Sequence, residues 1–166
     1  MKSPSSRSSR GAEVAATSRL EPNVLSAPSE LEAFLQARPG DGAVVSFTGL
    51  ARGRSRTGEA VTTLRLDWYP GMTERSLQAI ADAAARRFQV SDVRVVHRCG
   101  EIAPGETIVF VAAASPHRRE AFLAADYLMD RLKTEAAFWK REDGPGGGRW
   151  IEPAEDDRAD RARWSD

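Results

Sequence analysis

The sequence has a single cysteine, Cys99, in 166 residues. One thiol excludes an intramolecular disulfide framework and suits a reducing compartment. No apolar run approaches the roughly 18–20 residues that span a membrane, and the N-terminus lacks the apolar stretch of a signal peptide. There is no net charge, because 24 Lys+Arg balance 24 Asp+Glu. Neutrality argues against a dedicated nucleic-acid binder, although a local basic patch is compatible with it. Neither a Walker-type phosphate loop nor a dinucleotide glycine motif occurs, which speaks against nucleotide-driven chemistry. What these absences leave is a cytoplasmic chain, 41% hydrophobic and long enough for one domain with a real core.

Lysine is scarce too. Among the 24 cations the only lysines are Lys2, Lys133 and Lys140. Wherever any cation would serve, the chain uses arginine. Lysine differs in that its pKa can be tuned into a working range, so it can donate or accept a proton. Two of the lysines fall in the stretch Ser115–Glu142. That stretch opens on a helix signal, with Ser115 as cap and Pro116 at the first helical position. Phe122, Ala125, Met129, Leu132 and Ala136 then mark one apolar helix face. His117, Arg118 and Arg119 stand in its first turn, where free N–H groups and basic side chains together favour an anion. Lys133 and Lys140 read either as solvated charges or as working groups of an anion site.

Residues 1–22 are expected to be a disordered tail, 23–152 the domain, and 153–166 a charged tail in which Trp164 is the one residue suited to docking. Ser29 and Glu32 fit a capping box for a first helix ending at Pro39-Gly40. Ala43–Phe47 reads as a buried strand. A loop with Arg52, Arg54 and Arg56 follows; it reads as a phosphate grip or as a solvated loop. Alternation over Thr63–Trp68 predicts a strand, Thr73 caps a helix through Phe88, and strands follow over Val93–Arg98 and Thr107–Ala114. Phe138–Arg141 and Arg149–Glu152 suggest a hairpin whose Phe138, Trp139 and Trp150 pack across the pair. The order predicts an α+β fold with helices on a mainly antiparallel sheet. His97 and Cys99 share a strand face, but zinc needs three or four close ligands and only His117 remains to help. No metal site is expected, and Cys99 reads as a small buried hydrophobe.

Taken in order, these pieces resemble the large, catalytic subunit of molybdopterin synthase. The matching segments are Val45-Ser46-Phe47-Thr48-Gly49 with Arg52, Tyr69-Pro70-Gly71-Met72, Val96-His97-Arg98 with Gly100-Glu101, and Pro104-Gly105-Glu106. Ser115 with His117-Arg118, Met129-Asp130, Leu132-Lys133-Thr134, Phe138-Trp139-Lys140-Arg141-Glu142 and Arg149-Trp150 complete the series. It covers roughly residues 24–152.

The resemblance implies an α/β-hammerhead-type domain with a small additional antiparallel sheet. It implies a sulfurtransferase of molybdenum cofactor biosynthesis, which adds two dithiolene sulfurs to cyclic pyranopterin monophosphate. The sulfur comes from the C-terminal Gly-Gly thiocarboxylate of a ubiquitin-like small subunit, in a heterotetramer built on a homodimer of large subunits. No cofactor is implied. By position, Arg52, His117 and Arg118 fall where the family binds the substrate's anionic end. Lys133 and Lys140 fall on its essential lysines, with Lys133 the expected actor in the chemical step. Leu50, Ala51, Arg141 and Glu142 extend the substrate-binding wall, and Phe47 and Met129 line the pocket. Ala137 departs from a usual proline and Cys99 from a usual aliphatic. A rival reading, a non-catalytic anion- or RNA-binding module using the arginine patch, predicts steeply salt-dependent binding without turnover.

Overall fold

The computed structural model describes residues 14–37 and 40–165. Twelve elements follow one another: β1 (Ala15–Glu21), α1 (Ala27–Gln36), β2 (Ala43–Leu50), β3 (Thr63–Trp68), α2 (Met72–Arg87), β4 (Asp92–Arg98), β5 (Gly100–Ile102), β6 (Thr107–Ser115), α3 (Arg118–Glu135), β7 (Phe138–Gly144), β8 (Gly147–Ile151) and α4 (Glu155–Ala162). They build two four-stranded sheets, ordered β1-β4-β6-β2 and β5-β3-β7-β8. All pairings are antiparallel except β1 with β4. The fold is α+β, as the element order predicts.

The first sheet is covered on both faces. Its central strand β6 is accordingly an almost continuous apolar run rather than an alternating one, and β4 beside it is buried along most of its length although it carries Asp92, Arg94, His97 and Arg98. On one side Leu77, Ile80 and Ala84 of α2 and Ala124, Leu128 and Leu132 of α3 meet Val93, Val95, Val111 and Ala113. On the other, Phe34 of α1 meets Val96, Phe110, Ala112 and Ala114. Ala112, Ala113 and Ala114 are fully buried, and such small side chains let helices approach the strand closely from both sides. The second sheet has a smaller core of Ala51, Leu66 and Ile102. Partly buried Ile108 and Phe138 touch both this core and the α2/α3 core, joining the sheets. The chain passes from β4 to β5 through Gly100, whose φ of +82° suits a residue without Cβ.

Several boundaries differ from the expectations. Residues 15–21, assigned to the N-terminal tail, are β1, because their backbone finds a parallel partner in β4; residues 1–13 lie outside the described residues. Helix α1 is capped by Ser26, not Ser29: Ser29 N donates to Ser26 Oγ at 3.4 Å, and Pro28 sits in the first turn, where its missing N–H costs nothing. Pro39 of the expected stop is outside the described residues. Helix α2 starts after Gly71, and Thr73 is buried in its first turn. Helix α3 starts at Arg118 with His117 as N-cap. Ser115 is instead the last residue of β6; its Oγ donates to Gln89 O at 2.7 Å and accepts from His117 N at 3.2 Å.

The charged tail is corrected most. Residues 155–162 form α4, which starts with Glu155, Asp156 and Asp157, a sign of charge that suits the positive helix end. Trp164 fixes it. The indole stands edge-on to Tyr127 at 5.4 Å and to Phe88 at 5.9 Å, and its Nε1 donates to Asp130 Oδ2 at 2.7 Å. Arg163 adds a second bond to Asp130, and Arg161 pairs with Glu135. Trp164→Ala should therefore free α4 while leaving the main core intact. Hydrogen exchange should show lost protection over residues 155–162 and unchanged protection in β6; loss of protection in β6 as well would make Trp164 part of the global core.

Candidate active site

A cavity of about 630 Å³ opens where the two sheets meet the C-terminal end of α3. Phe47 and Leu50 of the edge strand β2 form one wall, and the loop after it brings Arg52, Arg54 and Arg56. Met129 and Lys133 reach it from α3, Lys140 and Glu142 from β7, and His97 from β4. Of the residues expected from the sequence, Phe47, Leu50, Arg52, Met129, Lys133, Lys140 and Glu142 thus come together.

Others do not join them. Ala51 is buried beneath the wall and fixes the Gly105 loop, since its N–H donates to Glu106 O and its C=O accepts from Gly105 N. Arg141 alternates to the opposite face of β7 from Lys140 and Glu142. It pairs with Asp143 at 2.7 Å and lies over Trp150. The expected aromatic cluster splits the same way: Trp139 meets Trp150 at 6.1 Å, whereas Phe138 turns inward and stacks on His97 at 4.4 Å. His117 and Arg118 are exposed at the opposite end of α3. Fifteen residues at 1.5 Å each separate Arg118 from Lys133 by about 22 Å, so one chain cannot close both ends on one small substrate.

The two lysines live in different surroundings. Lys133 ends α3, where a cation suits the dipole. It is half exposed, and its Nζ donates to Asp157 Oδ1 at 2.9 Å. Lys140 lies inside the second sheet, opposite Leu66 of β3 and Ile151 of β8. Burial holds its ammonium below the ordinary lysine value of 10.5; Asp157 counteracts this and Lys133 adds to it. Asp157 is itself below the ordinary carboxyl range. Burial opposes its charge, but the Lys133 hydrogen bond, the Ala154 N–H and the charges of Lys133 and Arg56 outweigh burial. Nothing in the sequence pattern distinguishes Asp157 from its acidic neighbours. Only the docking of α4 brings it, with Glu152 and Pro153, to the cavity.

The link between the lysines is clamped. Ala137 O accepts from Thr73 Oγ1 at 2.7 Å, and Ala137 N donates to Ser76 Oγ at 3.1 Å. Thr73 Oγ1 also accepts from Tyr69 N at 2.9 Å. The N–H that Ala137 uses here is one a proline lacks. His97 supports the next residue. Its Nδ1 lies 2.8 Å from Arg98 O, and a carbonyl only accepts, so Nδ1 carries the proton. Burial pushes its pKa down to about 4, with Lys140 adding to that and the Arg98 bond opposing it, so the ring is neutral. Burial also pushes the Cys99 thiol above its ordinary value, against the nearby Arg98 charge. Among the described residues no group of three or more His, Cys, Asp or Glu could hold a metal ion, and no helix is long and apolar enough to cross a membrane.

A two-sheet α+β domain whose cavity joins a desolvated lysine, an ion-paired lysine and an arginine loop is built to handle an anionic substrate. The chain belongs to the MoaE protein family, whose model matches residues 22–135. It is 53% identical over 144 residues to the molybdopterin synthase catalytic subunit of Caulobacter vibrioides, covering 87% of this chain and 91% of that one. It superposes on the molybdopterin biosynthesis MoaE protein of Burkholderia ambifaria with a TM-score of 0.75 and 40% identity, over 90% of this chain and 97% of that one. A complex of subunits 1 and 2 of the molybdopterin-converting factor of Helicobacter pylori shares the fold, with a TM-score of 0.66 at 17% identity over 83% and 90% of the two chains. The rival reading as a non-catalytic anion- or RNA-binding module finds no support in these relatives.

Two measurements check this geometry. Thr73→Val removes the Thr73 half of the clamp, leaving Ala137 O without its donor, and should cost about 1–3 kcal/mol in urea unfolding, the scale of a buried polar contact left unmade. Lys140 should titrate below 10.5 by NMR. Lys133→Met should raise that value by removing a like charge, and Asp157→Asn should lower it. Because the unfolded chain holds the Lys140 proton more tightly, stability should rise with pH from the depressed value up to 10.5. Lys140→Met should lose that slope.

Proposed function

We propose that this chain is the catalytic subunit of a molybdopterin synthase, a cytoplasmic sulfurtransferase that converts cyclic pyranopterin monophosphate to molybdopterin. The observation carrying this reading is the pairing of Lys133 and Lys140 at one cavity with the arginine loop, in a chain so closely related to named catalytic subunits. The small subunit's thiocarboxylate supplies each sulfur. In the transfer that opens the cyclic phosphate, its sulfur forms a bond to a substrate carbon as the C–O bond to a phosphate oxygen breaks, and water then hydrolyses the resulting acyl thioester, leaving the sulfur on the substrate and a carboxylate on the small subunit. Arg52, with Arg54 and Arg56 beside it, gives forked donors for the phosphate. Phe47 and Met129 give the ring an apolar wall. Sulfur does not pass through Cys99, whose buried thiol is held protonated.

The surroundings of the two lysines favour Lys140 as the proton carrier. Desolvation brings its ammonium toward the working range, whereas Lys133 is matched to a carboxylate and suits an electrostatic anchor. That order reverses the emphasis suggested by the residue pattern. His117 and Arg118, about 22 Å from Lys133 along α3, serve the same reaction only if a second copy presents them, which fits a homodimer carrying two small subunits.

Purified protein, thiocarboxylated small subunit and substrate should yield fluorescent molybdopterin derivatives; no product would sink the reading. In single turnover with both subunits saturating, Lys140→Arg should lose about 10²–10⁴-fold, the range for a positioned acid–base group. Lys133→Arg should lose less, and the opposite ranking would move the proton step to Lys133. Mixed dimers of Arg118→Ala and Lys140→Ala chains should regain about a quarter to a half of wild-type activity, the share of sites left intact if each site draws on two chains. Total inactivity of the mixture would place Arg118 within a single-chain site.

A further inference from the structure

His97 is a buried titratable side chain at the cavity that the reaction above leaves without a task. We infer that His97 is a substrate-orienting residue, whose Nε2 offers the inner wall of the cavity an uncharged acceptor for a ring N–H of the substrate, while the arginines at the mouth take the phosphate. The inference rests on the proposed function, which makes the substrate a flat, nitrogen-rich ring bearing N–H donors and a phosphate.

The geometry supports it in three ways. The ring is held: Nδ1 is committed to Arg98 O, and one face stacks on Phe138, two residues before Lys140. Its tautomer is therefore fixed, and Nε2 carries a lone pair rather than a proton. That Nε2 has no hydrogen-bond partner among the described residues, although His97 is 4% exposed and lines the cavity. Nε2 is not among the fully enclosed polar atoms that lack a partner, so it opens to the cavity, where a ligand or water can complete it.

The third point is the polarity of the wall. Around His97 the cavity is lined by Leu64, Ile108, Val109 and Leu132. Apart from the hydroxyl of Thr48 on the exposed edge strand β2, the other side-chain acceptors at the cavity, Glu142, Glu152 and Asp157, are carboxylates. A carboxylate at position 97 would pair with Lys140 and quench it. A neutral imidazole accepts a ring N–H and leaves the Lys140 ammonium unpaired. One neutral acceptor deep in an apolar wall and several cations at the mouth fix which end of the substrate enters first.

The test uses the assembled enzyme with thiocarboxylated small subunit. His97→Phe keeps a ring against Phe138 but removes the acceptor. His97→Gln and His97→Leu both lose the stack, and only Gln returns an acceptor near Nε2. Expected are a KM for cyclic pyranopterin monophosphate raised about tenfold in His97→Phe and His97→Leu, the size of one lost hydrogen bond, and a value closer to wild type in His97→Gln. Binding of a phosphate-free pterin, read by quenching of its own fluorescence, should weaken in the same order, since no phosphate contact is then involved. An unchanged KM in folded His97→Phe, or His97→Gln impaired as much as His97→Leu, overturns the inference. If His97→Phe does not fold, the Gln and Leu pair decides alone. An active wild type with indifferent variants defeats only the role of His97, whereas an inactive wild type defeats the functional reading.

Discussion

The backbone of Ala137, whose N–H and C=O are both held by hydroxyls of α2, is the contact on which the site depends. Thr73 and Ser76 belong to a helix whose Leu77, Ile80 and Ala84 are locked into the main core. The clamp therefore transmits the rigidity of that core to the short link between α3 and β7. Lys133 lies just before the link and Lys140 just after it. Without the clamp, the two ammonium groups would depend on a free helix end and a strand of a small sheet. With it, their separation is set by a well-packed layer that takes no part in the chemistry.

The electrostatics follow from this placement. Cations dominate the cavity mouth, and a desolvated ammonium lies deeper in. Bringing like charges together without a ligand is unfavourable, and α4 relieves part of that cost. Asp157 sits on Lys133 at 2.9 Å and Asp156 lies 3.6 Å from Arg56. Both pairs are at least partly exposed and so individually weak. The helix that carries them is held less by these ion pairs than by the Trp164 indole between Phe88 and Tyr127. An apolar anchor thus places a polar counter-charge, and the anchor lies on the far side of α4 from the cavity in sequence.

Much of the fold was legible because local pattern and burial agree. The apolar run of β6, the alternation of β3 and the helical face of α2 each express one environment along their length; the face expected on α3 holds only in part, since Phe122 is 62% exposed and Tyr127 and Leu128 are buried instead. The misread positions are those where a polar side chain serves a distant partner. Ser115 and Thr73 look like helix caps, yet they tie loops from other parts of the chain. Residues 15–21 carry no strong strand pattern, since their partner β4 lies more than seventy residues away and supplies the pairing. The acidic run at 155–157 looks solvated because its one large apolar companion, Trp164, comes after it.

Residue type and order suffice for the chemical inventory: an economy of lysine, an arginine-rich loop, one thiol, and an ordered series of motifs sufficient to indicate the family. These are matters of residue type and spacing, which need no third dimension. Tertiary structure alone decided how the inventory is shared out. It put Lys140 half-buried inside the second sheet and Lys133 against Asp157, set His117 and Arg118 a helix length away, and turned His97 toward the cavity with one ring nitrogen already spent. Desolvation, partner charges and tautomer are properties of neighbours in space, and those neighbours come from strands and helices far apart in the chain.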